Sequence, residues 1–185
     1  FEKWLFDLKG FFVIKNVVSK SDVMKMKKLA QSWFKSNMDL PEPMLKNFEG
    51  PTAKFIYNFH YVEKVFEELL LNEKILRFIN GIQKENTRVF DVVLAKTTKE
   101  DYETIFQSGF EGGFQEPDQQ FVAANNDLFA SFVNVGVSLV DIPGHLGFTC
   151  LPGSHKGNFK IPKNINLYDD PPTVLNVPIN SGDAI

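Results

Sequence analysis

Apolar residues recur at steps of three and four over the first half of the chain and at steps of two over the second, with the change near Arg88. Ahead of it, Val23, Met26, Ala30, Trp33 and Phe34 form one stripe and predict an amphipathic helix, for which Ser19 or Ser21 offers a capping oxygen. A second helical block begins near Tyr61, with Val65, Phe66, Leu69 and Leu70 on one side. Asn72 starts a further turn that carries Leu76 and Ile79 and is expected to stop at Gly81. Phe11 to Val18, rich in Phe, Val and Ile, reads as a strand before these helices. Pro41-Glu42-Pro43 closes the first helical element, and a turn at Phe48 to Pro51 leads into the short apolar stretch Phe55 to Phe59.

Beyond Arg88, Val89 to Ala95 is a buried-strand candidate and Phe132 to Asp141 is the clearest strand. On the latter Val133, Val135, Val137 and Leu139 share one face, and Phe132, Asn134, Gly136 and Ser138 share the other. That second face is small and partly polar, as a strand lining a ligand cavity would be, so Asn134 and Ser138 are candidate pocket residues; a plain barrel interior is the alternative. Phe148 to Leu151 and Thr173 to Val177 are further short strands between Pro- and Asn-rich turns. Helices first and many short strands later predict a mainly β fold with N-terminal helices, a β-sandwich or jelly roll. The length suits one domain over 1–185, with a helical buttress at roughly 19–81 and barrel strands at roughly 88–185.

Composition narrows the partners. Nineteen Phe residues point to a core or pocket with broad aromatic walls. A net charge of −3 argues against a nucleic-acid partner, and the local cluster Lys20, Lys25, Lys27 and Lys28 reads as the solvated face of a helix. No stretch approaches the ~20 apolar residues needed to span a bilayer, and no signal peptide is visible. Phe1 leaves open that a leader or an N-terminal turn precedes it. Cys150 is the one cysteine, which excludes an intrachain disulfide and is compatible with a reducing, cytoplasmic setting. Oligomeric state is not legible.

One stretch points to chemistry: Gly147-Phe148-Thr149-Cys150-Leu151-Pro152-Gly153-Ser154-His155-Lys156, following the alternating run Phe132 to Asp141, reads as a β-strand pair whose turn delivers a histidine to the mouth of a barrel. Four segments together, Gly10-Phe11-Phe12-Val13-Ile14-Lys15-Asn16-Val17-Val18-Ser19, Ser138-Leu139-Val140-Asp141, Leu151-Pro152-Gly153-Ser154-His155-Lys156 and Gly182-Asp183-Ala184-Ile185, resemble the phytanoyl-CoA dioxygenase family over nearly the whole chain. The resemblance implies a double-stranded β-helix that holds Fe(II), consumes 2-oxoglutarate and O₂, and hydroxylates a small organic or acyl substrate. It also implies two His and one carboxylate on one face of the iron, with the other positions open to the keto acid and O₂.

The position matching the family's His-x-Asp pair is Glu111-Gly112-Gly113, so Glu111 is the candidate metal ligand, with an exposed loop carboxylate as its alternative. A non-ligating third position is also the pattern of iron halogenases. The second His of the family follows the Gly-Asp-Ala strand and is expected beyond Ile185, in a barrel incomplete at its C-terminal end. By the same resemblance Lys96 could meet the keto-acid carboxylate, against a solvated Lys at a strand end. His155 has either a role at the site or a structural one, such as a hydrogen bond closing the turn. His145 reads as a loop residue, His60 as a cap or surface group, and Asp141 as a partner for loop amides. Three functions compete: an Fe(II)/2-oxoglutarate-dependent dioxygenase acting on a small molecule, inactive without its last strands; a non-catalytic jelly-roll binding protein that has lost the metal centre; and a sugar- or acyl-binding jelly roll unrelated to oxygenases, which leaves the Pro-Gly-Ser-His-Lys turn unexplained.

Overall fold

The computed structural model describes residues 1–35, 39–48, 54–84, 87–97, 120–156 and 174–185. They fall into two compact units, one drawn from Phe1–Val17, Lys74–Thr87 and Phe106–Ile185, the other from Val18–Glu73 and Arg88–Ile105.

The second of these units holds the helix announced by the clearest apolar stripe. α2 (Lys20–Trp33) starts at Ser19, whose hydroxyl accepts the backbone N–H of Asp22 at 3.1 Å, and buries Val23, Met26, Ala30 and Trp33 of the expected stripe, while Phe34 falls just past the helix as its C-cap. The Trp33 ring meets Phe66 at 5.6 Å, and Phe66 meets Phe59 at 4.8 Å in an edge-to-face contact. Phe66 belongs to α3 (Lys64–Leu70). Strands β1 (Leu45–Asn47), β2 (Lys54–Tyr57) and β3 (Val93–Lys96) form an antiparallel sheet in that order, with Ile56 of the central strand fully buried. The buried strand expected over Val89 to Ala95 is corrected by this order. β3 pairs on one side only, begins at Val93, and leaves Val89 and Val93 54% and 40% exposed.

The other unit opens with α1 (Glu2–Lys9), a helix for which the apolar spacing offered no reading. α4 (Glu73–Gln83) runs through Gly81 and buries Ile75, Phe78 and Ile82, not the Leu76 and Ile79 face. Two apolar stripes overlap on this helix, and the one bearing Phe78 is turned inward, where its ring meets Phe12 at 4.4 Å and Phe6 at 5.2 Å. Phe78 and Ile82 pack with Leu128 and Ala130 of the hairpin formed by β4 (Phe121–Ala124) and β5 (Asp127–Ala130). Asn125 and Asn126 join these strands with φ of 52° and 63°, the pair of left-handed residues that a two-residue hairpin requires.

Around residue 184 the same unit ties distant segments together. Ala184 is fully buried and bridges Ile14 on one side and Val137 on the other. Ile14 and Ala184 exchange backbone hydrogen bonds at 2.8 and 3.0 Å, and Gly136 and Ile185 do so at 2.9 Å. The strands expected over Phe11 to Val18 and Phe132 to Asp141 are extended segments paired only near these bridges. Asn16, with φ of 52°, turns the first away, and the Ser138 hydroxyl ends the second by donating to the Val140 carbonyl at 2.6 Å. β6 (Phe148–Cys150) and β7 (Leu175–Val177), both expected as short strands, pair with each other antiparallel. Gly147 precedes β6 where an added Cβ would overlap the carbonyl of Val177, so this approach requires glycine.

Candidate functional site

The Pro-Gly-Ser-His-Lys turn is built into the end of α1. Gly153, at φ 85°, reverses the chain, and Ser154–Lys156 forms one 3₁₀ turn. Three groups then reach the last turn of the helix, whose carbonyls have no partner within it. The Gly153 N–H donates to the Lys9 carbonyl at 2.9 Å, His155 Nε2 lies 3.1 Å from the Asp7 carbonyl, and the Lys156 ammonium lies 2.6 Å from Asp7 Oδ1. A carbonyl only accepts, so Nε2 carries the proton and the lone pair is on Nδ1. Nδ1 is buried, has no hydrogen-bond partner among the described residues, and abuts Gly10, where an added Cβ would overlap it. Gly10 itself is the left-handed cap of α1, with φ of 80°. The imidazole stands edge-on to Phe121 at 4.5 Å. Burial pulls its pKa below 6.5; the Asp7 carbonyl and carboxylate oppose that shift and the Lys156 charge adds to it. One nitrogen of His155 therefore serves the helix end and the other is sealed against Gly10.

The Gly-Asp-Ala segment is equally engaged. Asp183, 3% exposed, accepts from the Lys15 ammonium at 2.7 Å and from the Asn16 N–H at 2.9 Å. Burial alone would raise its pKa; the hydrogen bonds from Lys15 and from the Asn16 N–H outweigh burial and hold the carboxyl below its ordinary value. Asp141 accepts the Ser181 N–H at 2.7 Å, the loop-amide role expected of it. Ser138 is buried at its turn, whereas Asn134 is exposed, so the shared lining face read from alternation is broken at Ser138. Lys96 ends β3 in the other unit, its ammonium 6.0 Å from the centroid of the Phe34 ring. His145 is exposed in a 3₁₀ turn. Glu111 lies outside the described residues.

Among the described residues no group of three His, Cys, Asp or Glu side chains could hold a metal ion, so these residues do not by themselves fit an iron centre. Nor, among them, is any helix long and apolar enough to cross a membrane. A cavity of about 430 Å³ lies in the second unit and contains none of the residues singled out for the site. His60, read from sequence as a cap or surface group, is on its wall; no motif marked the place.

No family model matches the chain, that of the phytanoyl-CoA dioxygenases included, and no curated protein sequence matches it. Solved structures do. HygX from Streptomyces hygroscopicus, with nickel, 2-oxoglutarate and hygromycin B bound, superimposes with a TM-score of 0.73 at 20% identity over 99% of this chain and 75% of HygX. HygX with iron bound gives 0.69 at 18% identity, covering 99% of this chain and 74% of that one. SnoN, a non-heme α-ketoglutarate-dependent epimerase from nogalamycin biosynthesis, gives 0.60 at 16% identity over 99% of this chain and 70% of SnoN. The chain has the fold of these enzymes along nearly its whole length.

Proposed function

We propose that this chain forms most of an Fe(II)/2-oxoglutarate-dependent oxygenase domain of the phytanoyl-CoA dioxygenase type, acting on a small organic molecule. The observation that carries the reading is the likeness over 99% of the chain to HygX holding a metal and 2-oxoglutarate. Support from the sequence is the order of its motifs. The pairings of β6 with β7, of Ile142 with Ile179, and of Ala184 with both Ile14 and Val137 are antiparallel contacts of the kind from which a double-stranded β-helix is assembled. In this reading Glu111 is a metal ligand and Asn134 lines the pocket. Ser138 and His155 act on that pocket by shaping its walls, since the Ser138 hydroxyl donates to the Val140 carbonyl, Nε2 of His155 donates to the Asp7 carbonyl and its Nδ1 is closed off by Gly10. Iron, when bound, would supply the oxidation of the keto acid; the protein would position the substrate. The substrate class follows the neighbours: HygX holds hygromycin B and SnoN, from nogalamycin biosynthesis, holds nogalamycin RO, both small organic molecules.

Calorimetric titration with Mn(II) in the presence of 2-oxoglutarate tests the proposal on this chain, and succinate release under Fe(II) and O₂ tests it on the full-length protein. Expected is uptake of one metal per chain that is lost in Glu111→Ala. Absence of both metal uptake and succinate would leave the alternative, a binding protein without a metal centre.

A further inference from the structure

We propose that the cavity of the second unit is a binding site for a small organic cation, an ammonium or quaternary ammonium group on a compact apolar body. Its volume of about 430 Å³ is within the range of small-molecule sites, and its wall combines two carboxylates, Glu67 and Asp91, with the aromatic rings of Tyr61 and Phe90. No Lys or Arg is among its described lining residues. The Tyr61 and Phe90 side chains are 71% and 82% exposed, large apolar faces that gain by covering a ligand. A cation satisfies both features at once, by Coulomb attraction to the carboxylates and by attraction to the ring faces.

The remaining polar groups favour the same ligand. The Asn58 amide donates one of its two N–H groups to the Pro43 carbonyl at 3.1 Å. His60 packs against Tyr61 with ring centroids 4.1 Å apart and the rings tilted by 39°, and its Nδ1 is buried with no hydrogen-bond partner among the described residues. Protonation would place a second N–H there with nothing to receive it. Burial accordingly lowers the pKa of His60, while Asp91 and Glu67 pull it up, which also places both carboxylates within electrostatic reach of the ring. The imidazole therefore stays neutral at neutral pH and does not cancel the acidic wall.

Choline and its uncharged carbon isostere, in which carbon replaces the quaternary nitrogen, provide the test on the intact chain by calorimetry and by NMR titration. Choline should bind at least about tenfold more tightly than the isostere, a preference that shrinks with added salt. The Glu67→Gln/Asp91→Asn double variant should abolish it. Both carboxylates are exposed, so the thermal midpoint of that variant should stay near the parent value, and Tyr61→Leu should weaken choline binding with the carboxylates intact. Equal affinity for choline and isostere, unchanged choline affinity in the double variant, or no choline binding at millimolar concentration would each overturn the proposal. Metal and 2-oxoglutarate are absent from this experiment, so its outcome is independent of the oxygenase reading.

Discussion

His155 and His60 bury the same atom, Nδ1, without a hydrogen-bond partner among the described residues, and they do opposite things. Around His155 the neighbouring polar groups are committed to holding chain segments: Gly153 and Lys156 join it on α1, and in the same unit Asp183 grips Lys15 and Asn16. Around His60, Glu67 and Asp91 stand on the wall of a cavity. The motif-bearing region is a set of fastenings, while a region with no motif holds open space beside charge and aromatic surface. Motif chemistry and available chemistry are separate properties of this chain.

The largest effect that would sharpen this contrast is at Gly10. Gly10→Ala forces a Cβ onto Nδ1 of His155 at a left-handed backbone position, and should cost about 3 kcal/mol in urea unfolding. A loss below about 1 kcal/mol would mean that the helix end is not held as described. Asp183→Ala removes the partner of Lys15 and of the Asn16 N–H; because Lys15 is more than half exposed, a loss of about 2 kcal/mol is expected, short of that for a fully buried pair.

Acid should separate the two regions next. The unfolded chain binds a proton at His155 near 6.5 and the folded chain only at lower pH. Between those values the unfolded state holds more protons, so the stability from this group is complete above 6.5 and is lost as pH falls towards the folded value. Thermal midpoints should decline over that window, and His155→Gln, which keeps an amide donor for Asp7 but does not titrate, should flatten the decline at a cost of about 1 kcal/mol. The smallest effect belongs to the cavity. Glu67→Gln and Asp91→Asn should change stability by no more than about 0.5 kcal/mol, and a larger loss would show that these carboxylates also fasten structure.

Local signals were legible and distant ones were not. The apolar stripe and Ser19 cap of α2 are encoded within one helix, and β6 and β7 are short β-rich runs between turn residues. On α4 the sequence carries two overlapping apolar stripes, and contact with Phe6 and Phe12, far away along the chain, decides between them. Asn125-Asn126 is a hairpin signal legible in the sequence, since both residues tolerate the left-handed conformation. Alternation over Phe132 to Asp141 marked an extended segment but not the turn that the Ser138 hydroxyl makes inside it. His155 was legible as a histidine beside a turn, and its engagement was not, because α1 lies 148 positions earlier. Glu111 falls outside the described residues, so the metal-ligand reading rests on sequence alone.

The bond between Lys15 and Asp183 spans 168 positions. At the pace of a ribosome, some 5–20 residues each second, roughly ten to thirty seconds separate the emergence of one partner from that of the other. Throughout that wait the backbone of Ile14 lacks the partner it has in the fold, until Ala184 arrives between its two neighbours.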